Sequence, residues 1–118
     1  MKKYPSSLPF PFSQAVEANG FLFLSGQVSM NGKGEPVQGT IAEQTQLIFE
    51  NIAKTLQSCG SSLDKIIRIT VWLSDMAHIS TFISAYCRYF PDGFPARTTV
   101  VSRLAFDLDV EMEVQALA

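Results

Sequence analysis

The sequence predicts an α+β fold, a mixed β-sheet carrying two helices on one of its faces. Three observations carry that expectation. Thr40 to Gln57 has helical apolar spacing and helix punctuation at both ends. Ile66 to Leu73 and Val110 to Ala118 have the β-branched content and alternation of strands. A single strand separates the two helices, so each helix serves as a crossover in the order ββαβαββ. With 118 residues, 47% of them hydrophobic and 17% charged, one folded domain over residues 1–118 is expected and disorder is excluded.

Residues 1–12 read as irregular, because Pro5, Pro9 and Pro11 interrupt them. Phe21 to Val28 reads as a strand that is apolar on both faces at its start. Asn31-Gly32 signals a hairpin, with a short partner strand around Glu35–Gln38. Gly32-x-Gly34 lacks a third glycine and opens no helix, which excludes a nucleotide loop. Thr40 and Glu43 form a capping box that starts the first helix. Ile41, Thr45, Ile48, Ile52 and Leu56 share one face of it, and Gly60 suits the left-handed position after its end. Asp75 caps a second helix whose apolar stripe is Met76, Ile79, Phe82, Ile83 and Tyr86, ended by Pro91, Gly93 and Pro95. Arg97 to Val101 and Val110 to Ala118 complete the sheet.

Alternation sorts the side chains onto two sheet faces. Val110, Met112, Val114 and Ala116 fall on one face, with Glu111, Glu113 and Gln115 on the other. Ile67, Ile69, Val71 and Leu73 separate from Ile66, Arg68, Thr70 and Trp72 in the same way. The continuously apolar face belongs under the helices. The other mixes acid, base, amide and tryptophan, and Phe21 and Phe23 join it. A polar face salted with large aromatics is typical of an interface between subunits.

Composition removes several function classes. The net charge of −2 and the lack of a basic-aromatic stripe argue against nucleic acid as the main partner. No run reaches the length of a membrane span, and no apolar stretch follows Lys2 and Lys3 as a signal peptide requires. Cys59 and Cys87 lack metal or redox spacing and read as buried free thiols of a reducing, cytoplasmic compartment. His78 is the single histidine, read as exposed in the first turn of the second helix, so no metal site and no cofactor are expected.

Five segments stand out together: Phe12-Ser13-Gln14-Ala15, Leu24-Ser25-Gly26-Gln27, Val71 to Met76, Pro95 to Val100 and Val110 to Val114. In this order, from about residue 10 onward, the chain resembles the RidA/YjgF family of reactive-intermediate deaminases. That resemblance implies a chorismate-mutase-like fold, a homotrimer with clefts between subunits, and cofactor-free hydrolysis of 2-imino or enamine acids to 2-keto acids and ammonia. Arg97 would then bind the substrate carboxylate as a planar bidentate cation, or else remain a surface residue paired with Asp92. Glu111 matches the position that activates water, and Glu113 is left to pair with Arg68 across the sheet. Phe12, Ser25, Tyr86, Thr98 and Thr99 are the candidate substrate-binding residues, although Ser25 is equally suited to tight packing beside Gly26. Phe12 stands where the family usually has tyrosine, Thr99 where cysteine is common and Ile83 where many members carry asparagine. The Phe90–Phe94 stretch is also short. A non-catalytic module that binds a carboxylate metabolite is the alternative, and RNA cleavage fits the charge least.

Overall fold

Period-two burial along the last strand organises the molecule. The computed structural model describes residues 1–118. In chain order its elements are β1 (Lys2–Pro5), β2 (Ser13–Ala18), β3 (Phe21–Leu24), β4 (Gln27–Val28), α1 (Ile41–Ser58), β5 (Ile66–Leu73), α2 (Ile79–Tyr86), β6 (Ala96–Val101) and β7 (Val110–Leu117). Val110, Met112, Val114 and Ala116 are all buried, while Glu111, Glu113 and Gln115 between them are half-buried. The seven-stranded sheet runs β1-β2-β3-β7-β5-β6, with β4 also on β7. Only β5 and β6 pair in parallel. Because β4 and β5 are each antiparallel to β7, they run parallel to one another, and α1 crosses between them. The α2 helix makes the second crossover, from β5 to β6.

One core cluster joins α1 and α2 residues to the buried positions of β3, β5 and β7, so both helices cover the same sheet face. The capping box of Thr40 and Glu43 is fully formed. At the other end, the Gly60 amide donates to the Gln57 carbonyl and the Ser61 amide to that of Leu56. That is a Schellman closure, and Gly60 has the positive φ of +80° it requires. Gln44, 1% exposed, is bonded through both ends of its amide. It donates to the Gly39 carbonyl (2.9 Å) and to Asp109 Oδ2 (3.1 Å), and it accepts from the Asp109 amide (2.9 Å). Ser74 Oγ donates to Asp109 Oδ1 at 2.6 Å, so one carboxylate ties together the starts of α1 and β7 and the end of β5.

The structure corrects several expectations. The proline-rich start contains β1, which pairs antiparallel with β2, a strand the sequence pattern did not mark. The expected Phe21–Val28 strand breaks at Ser25-Gly26 into β3 and β4. The Asn31-Gly32 turn forms, but the Asn31 side chain bonds the amides of Lys33 and Glu35. Only a single Met30–Pro36 bridge follows where a Glu35–Gln38 strand was expected. A bulge between Ile66 and Arg68 inverts the alternation at the start of β5: Ile66 is buried and Ile67 exposed. It also sets Arg68 opposite Gln115 and Thr70 opposite Glu113, so the expected Glu113–Arg68 pair is absent. The Asp75 cap holds a short 3-10 turn, Met76–His78, ahead of α2, and Met76 is exposed. His78 is half-buried with Nε2 3.8 Å from Asp109 Oδ1. Cys59 is half-buried and Cys87 exposed.

Met112→Ala empties space between β7 and the helices and is expected to cost about 2–5 kcal/mol. Thr40→Ala removes one cap from an exposed helix end and is expected to cost about 1 kcal/mol. Urea denaturation of both variants checks the order; a larger loss at Thr40 would contradict the central position of β7.

Candidate functional site

Ser25 and Gly26 interrupt the strand that the apolar run began, and two contacts explain the break. The Ser25 hydroxyl donates to the Ser13 carbonyl at 2.6 Å, and its amide donates to the Gln14 carbonyl at 3.2 Å. Both bonds bind the break to β2. Gly26 then passes so close to Glu111 that a Cβ there would lie 2.7 Å from Oε2. A side chain there would displace the Glu111 carboxylate from its present position, so the glycine of the Ser-Gly-Gln motif leaves that place to the carboxylate. The Ser25 proton is spent on the backbone, which favours its packing role.

Glu111 lines a cleft of about 440 Å³ together with Phe12, Gln14, Gly26 and Gln27. The wall continues through residues 6–10, the turn after β4, Asn51 and Thr55 of α1, and Phe106. Burial raises the Glu111 carboxyl above the usual 4.5, and the charge of Glu113 raises it further. Phe12 is 49% exposed and stacks on Phe10, ring centroids 5.5 Å apart at 13°. Gln14, Gly26, Phe10 and Phe106 were not among the candidates read from the sequence. Gly26 was legible as a motif glycine, whereas Phe106 joins the wall through a left-handed turn (φ 61°, with 52° at Asp107) that no residue type announces.

The second group lies elsewhere. Arg97 is on β6, opposite Ile69 of β5, and therefore points to the helix side of the sheet. Its guanidinium carbon is 5.4 Å from the centroid of the Tyr86 ring, and its Nη1 donates to Thr99 Oγ1 at 2.5 Å. No ion pair to Asp92 forms; the exposed ion pair of Arg103 and Asp107 is elsewhere. Tyr86 is buried, and its hydroxyl has no hydrogen-bond partner. Burial raises the pKa of that hydroxyl, partly offset by the charge of Arg97. Thr98 faces the other way, with Arg68 Nη1 3.4 Å from its hydroxyl.

Thus the candidates divide into two sets: Arg97, Thr99 and Tyr86 at the β6 edge, and Glu111, Phe12 and Ser25 at the β4 side. In the ladder, Arg97 is level with Ile69 and hence with Val114, three residues from Glu111 along β7 and two strands away. Strand spacings put the two α-carbons roughly 14 Å apart, with the side chains on opposite faces. One chain does not bring Arg97 to Glu111. No group of three His, Cys, Asp or Glu side chains gathers to hold a metal ion, and no helix is long and apolar enough to cross a membrane.

Known proteins share this fold. The family model described as Endoribonuclease L-PSP matches residues 5–118. The mitochondrial protein MMF1 of Saccharomyces cerevisiae is 40% identical over 107 residues, covering 90% of this chain and 74% of that protein. Reactive Intermediate Deaminase A, chloroplastic, of Arabidopsis thaliana is 31% identical over 118 residues, 99% of this chain and 62% of its own length. Among solved structures, YyfA of Yersinia pestis, described as a Rid family protein of unknown function, superposes with a TM-score of 0.89 at 36% identity, covering 100% and 95% of the two chains. Yeast Mmf1 gives 0.88 at 37% identity, covering 99% and 94%. From its motifs, its sheet and these relatives, the chain belongs to the endoribonuclease L-PSP family, whose members include proteins named RutC, YjgF and Rid.

Proposed function

We propose that the protein hydrolyses reactive 2-imino or enamine acids to 2-keto acids and ammonia, as a cofactor-independent deaminase of the cytoplasm. The observation that carries this reading is the Glu111 carboxylate, held against Gly26 in the cleft with its proton affinity raised. Such a carboxylate is a better general base than an exposed one. Water adds through its oxygen to the electrophilic C2 of the protonated imine, and Glu111 takes the proton that water releases. Returning that proton to nitrogen makes ammonia the leaving group; as the C–N bond breaks, the hydroxyl on C2 gives its proton to Glu111 and becomes the carbonyl. Arg97 supplies the fork for the substrate carboxylate, preset by the Thr99 bond and the Tyr86 ring. A pure carboxylate-binding module gains nothing from an acid beside an anionic ligand. An RNA-cleaving role is named in the family's description, but a net charge of −2 suits a polyanionic substrate least. The Arabidopsis relative's name supports the deaminase.

Because Arg97 and Glu111 stand apart within one chain, we place the complete site between copies in a ring-closed homotrimer. The open sheet face supports this: Phe21, Phe23, Val100 and Leu117 are exposed on it.

Arg97→Lys keeps the charge and loses the fork, and is expected to lower kcat/KM by up to ~10²-fold with a raised KM. Glu111→Gln is expected to spare binding and lower kcat by ~10²-fold or more. Ammonia release from freshly generated imino acids, corrected for spontaneous hydrolysis, measures both. No rate above background for the unaltered protein would leave the binding module standing.

The pH profile follows from the direction of the Glu111 shift. The base form exists only above the raised value, so kcat/KM should fall as pH drops through it, above the usual 4.5, and Glu111→Gln should abolish that limb. For stability the sign is opposite. Protonated Glu111 favours the fold; that contribution is complete below the unfolded value and is lost as pH rises through the folded one. Glu111→Gln should therefore be the more stable protein at neutral pH, which thermal melts would read.

A site shared between copies also predicts complementation. Arg97→Ala and Glu111→Gln chains, each inactive, should on co-assembly regain about a quarter of full activity, because random mixing makes that fraction of the junctions intact. Sedimentation of the unaltered protein as a stable monomer, or mixtures with no recovery, would refute the shared site.

A further inference from the structure

The hydrolysis uses Glu111 and leaves three aromatic rings of the same cleft, Phe10, Phe12 and Phe106, without a role among its polar lining. The rings belong to a built wall. Leu8 and Phe10 pack onto the turn at Gly34, where a Cβ would meet their terminal carbons at 3.4 Å. Gly34 has a φ of +79°, so the turn itself calls for glycine and leaves room for both side chains. Phe10 in turn supports Phe12 by stacking. Phe106 lines the same cleft from the chain segment before β7. Its left-handed backbone, followed by a second left-handed residue at Asp107, is unfavourable for a side chain of this kind. Yet the ring is 53% exposed, so the core does not repay the strain. Rings half-exposed on a concave surface, one of them held there against local preference, point to an apolar ligand group.

We propose that Phe10, Phe12 and Phe106 form the side-chain subsite of the deaminase, and that it selects 2-imino acids with an aromatic side chain over small ones. This rests on the deaminase reading above. With C2 beside Glu111, the substrate side chain extends along the cleft, whose volume of about 440 Å³ suits a small organic ligand. Phe12 carries no hydroxyl, so the three rings themselves offer no donor to a small polar side chain. Lys54 also lines the cleft, from α1, and is its one cation. Were Lys54 the selector, an acidic side chain would be preferred instead.

The test compares imino acids generated by an amino-acid oxidase from alanine, leucine, phenylalanine and glutamate. The expected order of kcat/KM is phenylalanine, leucine, alanine, with the first at least ~10-fold above the last. Phe106→Gly and Phe10→Ala should each reduce the phenylalanine-to-alanine ratio by ~10-fold. Phe106→Gly should do so without lowering the melting temperature, because glycine accepts the left-handed backbone and little buried surface is lost. A merely structural Phe106 would change stability and leave the ratio alone. A flat series, a ratio unmoved by both variants, or a preference for the glutamate-derived imine would overturn the proposal while leaving the deaminase intact. If no imine is hydrolysed above background, the deaminase reading fails, and calorimetric binding of phenylpyruvate against pyruvate decides the subsite alone. A ~10-fold preference for phenylpyruvate supports it, and equal affinity overturns it.

Discussion

The pairing of β7 along both its edges is the constraint on which the rest of the structure depends. Its N-terminal half lies between β4 and β5 and its C-terminal half between β3 and β5. The last segment of the chain is therefore the middle of the sheet, and the crossover helices have a face to cover only once it is in place. Its strict alternation gives the fold its two sides. Four small or medium apolar side chains enter the core, and the residues between them, Glu111 among them, must face the other way. A one-residue slip would bury the acids and expose the core set, so the register is strongly specified. The Asp109 carboxylate, held by Gln44 and Ser74, pins that register at the start of the strand.

The same alternation separates the two charged candidates. Arg97 belongs to the helix side of an edge strand, while Glu111 belongs to the open side of the central one. Each is prepared locally: Arg97 by a threonine hydroxyl and a tyrosine ring, Glu111 by a glycine that clears space for its carboxylate and by burial that raises its proton affinity. The proposed chemistry needs both on one substrate. One chain does not bring them together, and the open face carries exposed phenylalanines.

Much of this was legible in the sequence where the cause is local. The capping box, the Schellman glycine and the apolar stripe of α1 depend on residues within a turn or two, and all are present. The alternation of β7 was read correctly because the strand is regular. β5 was misread at its start because a bulge, which arises from pairing with β7, shifts the face of Ile66 and Ile67. β1 and β2 were missed because their pairing is with each other and with β3, and a proline at the end of an edge strand does not prevent it. In place of the Glu35–Gln38 strand there is the Met30–Pro36 bridge, flanked by the bonds from the Asn31 amide to the Glu35 carbonyl and from the Val37 amide to the Ser29 carbonyl.

By itself, then, the sequence determined the α+β class, the positions of both helices, the core face of β7 and the identity of Arg97 and Glu111 as the charged candidates. The class, the helices and the core face follow from side-chain period, a property of short segments; Arg97 and Glu111 follow from the resemblance of their motifs to the family. The tertiary structure alone decided the sheet order, the bulge in β5, the approach of Gly26 to Glu111, the aromatic wall around Phe106 and the distance between the two charged groups. Each of these depends on which strands lie side by side, and that is settled by packing between residues far apart in the chain.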